Sequence, residues 1–124
     1  MNIFDHLQMT DGACRLHPTG EMSLVDAVEL VTLTIEHCRL RRIRKLLVNL
    51  TDLSGFSTPT LIDRFLMIED WAEAAEGKVV VAVVTRPELI HPQRFGVQVA
   101  QDSGMRSDVF ASEADAVAWL AAQE

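Results

Sequence analysis

The sequence predicts an α/β fold with a mostly parallel sheet, and three observations carry that prediction. Two apolar runs, 45–50 (KLLVNL) and 79–85 (VVVAVVT), lack the alternation of a half-exposed strand and so suit strands covered on both faces. Around them, apolar residues recur at steps of three and four, the period of a helix with one buried stripe. Hydroxyl residues, prolines and glycines stand at the ends of those stripes, where helices start and stop.

Each element can be justified in order. Residues 1–18 hold short alternating apolar segments around Thr10-Asp11-Gly12, which predicts a hairpin or two short strands. After Gly20, the stripe Leu24, Val28, Val31, Ile35 and Cys38 predicts a first helix, capped by Ser23 with Asp26 three residues on. Residues 45–50 follow as a central strand in which Asn49 interrupts an otherwise apolar surface. Pro59 is expected at the first helical position behind Thr58 as cap, and Leu61, Phe65, Ile68, Ala72 and Ala75 form the stripe of a second helix that Gly77 ends. Residues 79–85 are the next parallel strand. Pro92 is expected to open a third helix carrying Phe95, Val99 and Ala100 and stopped by Gly104. A short strand over 107–110 leads to a final helix, capped by Ser112 with Asp115 three residues later and docked by Val117, Trp119 and Leu120. Trp71, Trp119, Phe65 and Phe95 fall on apolar stripes, which assigns them to core or interface packing rather than to ligand stacking.

A chain of 124 residues, 48% hydrophobic, suits one domain over 1–124 with a substantial core. Its longest apolar run is far shorter than the roughly 20 residues that span a bilayer. The N-terminus lacks the basic start and apolar segment of a secretory signal, so a cytoplasmic location is expected. The net charge of −7 opposes non-specific attraction to nucleic acid and to anionic membrane. Cys14 and Cys38 are expected to be reduced and partly buried rather than bridged. Cys14 and His17, three apart in a strand, point to opposite faces and do not suggest a zinc site, and no cofactor is expected.

The order of these elements resembles the STAS domain, the SpoIIAA-like fold of bacterial anti-sigma-factor antagonists and of the cytoplasmic tails of sulfate transporters. The likeness runs through the Gly20-Glu21 turn, the strand LLVNL, the loop TDLSGFSTP, the second helix, the strand VVVAVV and the closing VFASEADAVAWL. The resemblance implies a mixed, mostly parallel sheet of four to five strands packed with about four α-helices. It also implies a non-enzymatic regulatory role with a protein partner of the anti-sigma kinase kind. In that family, a serine at the tip of the corresponding loop is phosphorylated and the partner is released. The family's usual loop reads Asp-Ser-Ser-Gly-Leu, whereas Phe56-Ser57-Thr58-Pro59-Thr60 keeps the hydroxyl pair and replaces the acidic residue and the glycine.

For Ser57 and Thr58, helix capping worth about 1 kcal/mol is one account, and phosphoacceptance or anion binding at a helix N-terminus is the functional one. Ser54, Gly55, Phe56, Thr60 and Arg64 complete the expected partner-binding loop and helix. Arg41, Arg42 and Arg44, with Arg39 and Lys45, either offset the first helix's dipole on a solvated face or form a docking patch for an acidic partner. The alternative to a protein-binding module is a small-ligand or lipid-binding domain with a cleft between the second helix, the third helix and the sheet edge. His91 and Arg94 would lie near that edge. A third reading takes Gly55-Phe56-Ser57-Thr58-Pro59 as a four-of-five match to the nucleophile elbow G-x-S-x-G of a small serine hydrolase. The apolar strands are also compatible with a homodimer in which a second copy closes one sheet face or edge.

Overall fold

The computed structural model describes residues 5–10, 12–90 and 92–123. The elements in chain order are β1 (Leu7–Thr10), β2 (Ala13–Leu16), β3 (Gly20–Glu21), α1 (Leu24–Leu40), β4 (Lys45–Asn49), β5 (Leu53–Ser54), α2 (Leu61–Ala75), β6 (Val80–Val84), α3 (Phe95–Asp102), β7 (Ser107–Phe110) and α4 (Glu113–Ala121). A 3-10 turn, Pro87–Leu89, lies between β6 and α3. Five strands form one sheet in the order β1-β2-β4-β6-β7, antiparallel only between β1 and β2 and parallel elsewhere. The expected N-terminal hairpin is therefore the sheet's edge, and the strand that contains Asn49 is its centre. Asp11, in the expected turn of that hairpin, lies outside the described residues.

The two apolar strands are buried on both faces because helices cover both. Leu46, Val48 and Val81 join the larger core with α1, α2 and α3, while Leu47, Val80, Ala82 and Val84 pack with Ala116 and Leu120 of α4. Alternate residues of a strand face opposite sides, so a sheet with two covered faces needs apolar residues at every position. Trp71, 3% exposed, is the largest side chain of the main core, and its indole N–H donates to the Val28 carbonyl at 3.3 Å.

The four helix starts tell how far local chemistry decides. Ser23 and Ser112 accept from the backbone N–H of Asp26 and Asp115, as their spacing predicted. α2 is different: its cap is Thr60, not Thr58, and Pro59 lies outside the helix. Thr60 accepts from the Asp63 N–H and the Asp63 carboxylate accepts from the Thr60 N–H, each at 3.0 Å. Such a reciprocal box satisfies two orphan donors, one more than a lone hydroxyl at Thr58 satisfies. α3 likewise begins at Phe95 rather than Pro92, because Arg94 holds a left-handed φ of 53° that interrupts any helix arriving from residue 92.

Burial also corrects the stripes. In α1 the buried line is Ala27, Leu30, Val31, Thr34, Ile35 and Cys38, with Leu24 and Val28 only half-buried, because the helix packs on α2 as well as on the sheet. In α2 the buried residues are Ile68, Trp71, Ala74 and Ala75, leaving Leu61 and Phe65 exposed. Val117 of α4 is exposed, and Ala116 and Leu120 dock the helix while Trp119 tilts against Phe110. Cys14 and Cys38 are free, as expected, but fully buried. The Cys14 thiol donates to the Met9 sulfur at 3.0 Å, and burial raises the pKa of both cysteines.

β3 and β5 make a separate parallel ladder pairing Gly20 with Leu53 and Glu21 with Ser54. Gly55 follows at φ +100°, where a Cβ would lie 2.9 Å from the Met22 nitrogen and 3.0 Å from its oxygen. Both the dihedral and the contact exclude a side chain. Gly55→Ala is therefore expected to lower stability by about 1–3 kcal/mol, seen as a reduced urea midpoint at unchanged slope; an unchanged midpoint would refute this account of the turn.

Candidate functional site

The segment from Leu50 to Thr60 leaves the C-terminal end of the central strand, the edge at which open α/β sheets bind ligands. Leu53 is buried and anchors it, while Phe56 and Pro59 are half-buried. Both roof an apolar cavity of about 120 Å³ between α1, α2, α3 and the sheet edge. Leu24, Ala27 and Val28 form one wall, Met67, Ile68 and Trp71 a second, and Gly96, Val97 and Val109 part of a third. This is the cleft that the sequence placed between the second helix, the third helix and the sheet edge. Gly96 sits in α3 without a left-handed φ, and a Cβ there would meet only Ile68 side-chain atoms, at 3.9–4.0 Å. Nothing in the backbone demands glycine at that position, although glycine within a helix costs about 0.5–1 kcal/mol against alanine.

Charged residues in the lining have different surroundings. Arg94 pairs with the Asp108 carboxylate and donates to the Val109 carbonyl at 2.8 Å, so its charge is matched. Arg64 donates from Nη1 to the Leu89 carbonyl at 2.9 Å and from Nε to the Pro59 carbonyl at 3.3 Å, tying the loop to the 3-10 turn. No carboxylate pairs with Arg64 among the described residues, and burial lowers its pKa. His91 lies outside the described residues.

Ser57 and Thr58 are exposed, and neither hydroxyl has a hydrogen-bond partner among the described residues. They precede the first helical residue, Leu61, by four and three positions, so they do not stand at the helix terminus. The Thr60–Asp63 box already occupies the Thr60 and Asp63 N–H groups of that terminus, and its carboxylate makes the terminus acidic. Ser57 also lacks the strained geometry of a nucleophile elbow: Gly55 carries the positive φ, and no histidine contacts the Ser57 hydroxyl among the described residues.

Beyond the cap, Leu61, Ile62, Phe65 and Leu66 are 51, 72, 43 and 56% exposed, an apolar face over the first turns of α2. Leu66 and Met67 also line an open groove against Leu24, Val25 and Val28 of α1, rimmed by Glu29, Asp63 and Asp70. Arg41, Arg42 and Arg44 are exposed too, but at the C-terminal end of α1, about 25 Å of helix away. They lead into the start of β4 and so sit at the sheet edge opposite the loop. Arg39 is committed to structure, donating to the Ala74 carbonyl at 2.8 Å and pairing with Glu76 at 3.3 Å.

No family model matches the chain, and no curated protein does. Among solved structures, an anti-sigma factor antagonist from Mycobacterium paratuberculosis shares 16% identity and superposes with a TM-score of 0.58 over 93% of this chain and 91% of its own. An uncharacterised DUF3478-family protein with a SpoIIAA-like fold from Shewanella loihica shares 20% identity at a TM-score of 0.50, covering 92% of this chain and 90% of its own. The fold is SpoIIAA-like. At these identities the likeness concerns the path of the backbone.

On the α4 side of the SpoIIAA-like sheet lies a polar chain that the sequence reading missed. Arg15 donates to Glu113 Oε1 from Nε at 2.8 Å and Nη2 at 2.7 Å, and Asn49 Nδ2 donates to the same oxygen at 3.2 Å. Arg15 Nη2 lies 3.0 Å from His17 Nδ1, and His17 Nε2 lies 2.7 Å from Asp52 Oδ2. Because the guanidinium only donates, His17 Nδ1 accepts and Nε2 carries the hydrogen given to Asp52. Asn49 Oδ1 takes the backbone N–H and hydroxyl of Thr51, which turns the chain out of β4. The signal in the sequence was Asn49, a buried amide in an apolar strand that needs partners.

Burial by itself raises the Glu113 pKa, but the Asn49 and Arg15 hydrogen bonds and the Arg15 charge outweigh it, and the net shift is downward. A carboxylate with a lowered folded-state pKa adds stability above its unfolded value and loses it as pH falls through the folded one. As pH falls below about 4.5 the protein is thus expected to lose stability more steeply than Glu113→Gln. Parallel acid titration curves in chemical denaturation would show that the network does not hold this carboxylate.

Proposed function

We propose that this chain is a non-enzymatic SpoIIAA-like module that binds a protein partner through the 54–60 loop and the first half of α2. The observation that carries the reading is the exposed row Leu61, Ile62, Phe65 and Leu66, which follows directly on the loop. Contiguous apolar surface of this kind, rimmed by polar residues, marks interaction sites more often than it marks solvent-facing helix. Here the rim is acidic at Glu29, Asp63 and Asp70. The chemistry that fits is a protein surface with an apolar centre and a lysine- or arginine-rich border.

Phosphorylation at Ser57 would alter this surface both electrostatically and sterically. Its hydroxyl is exposed and without a partner among the described residues, hence open to a kinase. A phosphate adds nearly two negative charges at pH 7, only a few residues from the Asp63 cap. Added negative charge on an acidic rim changes its attraction for a cationic partner in proportion to how closely the phosphate approaches that partner's border. The added charge by itself strengthens attraction to a cationic border, so release, the regulatory direction that the family resemblance implies, requires that displacement of the loop contact by the bulky phosphate outweigh that attraction.

The test is affinity capture from the native host followed by reconstitution with the purified partner. Ile62→Asp combined with Leu66→Asp, both at exposed positions, is expected to weaken that complex at least tenfold while leaving the circular dichroism spectrum and urea midpoint in place. A complex indifferent to both substitutions would remove the helix face from the proposal. Stoichiometric phosphorylation of Ser57 is expected to raise the dissociation rate, read by surface plasmon resonance; an unchanged rate excludes the switch but leaves the docking face intact.

A further inference from the structure

We propose that the cavity beneath Phe56 and Pro59 is a binding site for a small amphipathic carboxylate, with its apolar body inside and its anionic group on Arg64. This goes beyond partner binding by the outer face of α2 and stands on different observations. An apolar cavity of about 120 Å³ is smaller than, but close to, the 150 Å³ cavity known to stay dry and accept benzene. The occupant's body is therefore about the size of a single ring or a short branched chain.

Two features separate this cavity from a packing defect. Gly96 lies in its wall, where a methyl group would make only ordinary contact with Ile68 and where the backbone does not require glycine. Alanine would favour the helix and reduce the empty space, so glycine keeps the cavity open at the expense of helix stability. Arg64 is the second feature. A half-buried guanidinium that lines an apolar cavity without a carboxylate partner among the described residues is unfavourable unless something anionic compensates it. Among the described residues its hydrogen bonds go to the Pro59 and Leu89 carbonyls, which leaves three of its five N–H donors for an incoming anion. The other arginine of the lining, Arg94, is neutralised by Asp108 and cannot substitute for it as cheaply.

The whole chain can be titrated with benzoate and isovalerate, with benzamide as the uncharged counterpart of benzoate, while amide chemical shifts are recorded. Saturable shifts at Ile68, Val97 and Val109 with either carboxylate, and at least tenfold weaker binding of benzamide, are the expected result. Gly96→Leu fills the cavity and should abolish both responses; if it does not fold, Gly96→Ala should weaken them in a chain that is at least as stable as the original. Arg64→Gln should remove the preference for benzoate over benzamide while benzene still enters. Absence of saturable shifts up to 10 mM carboxylate, or equal binding by the Gly96 variants, overturns the site. Retention of the benzoate preference by Arg64→Gln overturns the role given to Arg64.

Discussion

The close approach of Gly55 to Met22 is the constraint on which the loop side of the molecule depends. With no side chain at Gly55, the backbone after β5 lies against the start of α1, and the Met22 N–H donates to the Ser54 carbonyl at 2.8 Å. That contact turns the chain so that Phe56 and Pro59 fold inward over the cavity while Ser57 and Thr58 remain in solvent. It also sets where α2 starts. Once Thr60 and Asp63 close their reciprocal box, the register of the helix sends Ile68 and Trp71 inward and leaves Ile62 and Leu66 outside. A short stretch of backbone geometry thereby separates an internal apolar surface from an external one.

Much of this was legible in the sequence, for physical reasons that can be named. Strands buried on both faces announce themselves by unbroken apolar runs, which is why β4 and β6 were found where the structure has them. Ser23 and Ser112 were readable because each has one dominant bond to make. Thr60 was not, since Thr58, Pro59 and Thr60 all favour a helix start, and the choice among them depends on the Asp63 carboxylate closing a second bond. The stripe of α2 was misread because a period of three and four continues through Leu61 and Phe65, although the described residues leave that part of the helix exposed. Periodicity reports that a face is apolar; it does not report what covers it.

The candidate residues divide in the same way. The loop was visible because a strand, a hydroxyl-rich turn and a helix follow in sequence, but its inward and outward residues were not separable without the path of the backbone. Arg15, His17, Asn49, Asp52 and Glu113 were missed as a group because they come from three distant segments. Only Asn49 betrayed them, as an amide in a strand that otherwise excludes water. The arginines at the end of α1 were conspicuous in the sequence, and they stand at the far edge of the sheet from the loop.

Leu24, Val28 and Met67 line both the internal cavity and the outer groove between α1 and α2. The partition between the two spaces is a single layer of side chains. Two of its members are stiff or branched, while Met67 has three freely turning bonds and a sulfur that adapts to irregular surroundings. Free energy deposited on one side of such a partition is felt on the other, and thermodynamic linkage makes the effect equal in both directions. Inside and outside are therefore not independent variables in this molecule: its interior volume is a coordinate of its surface.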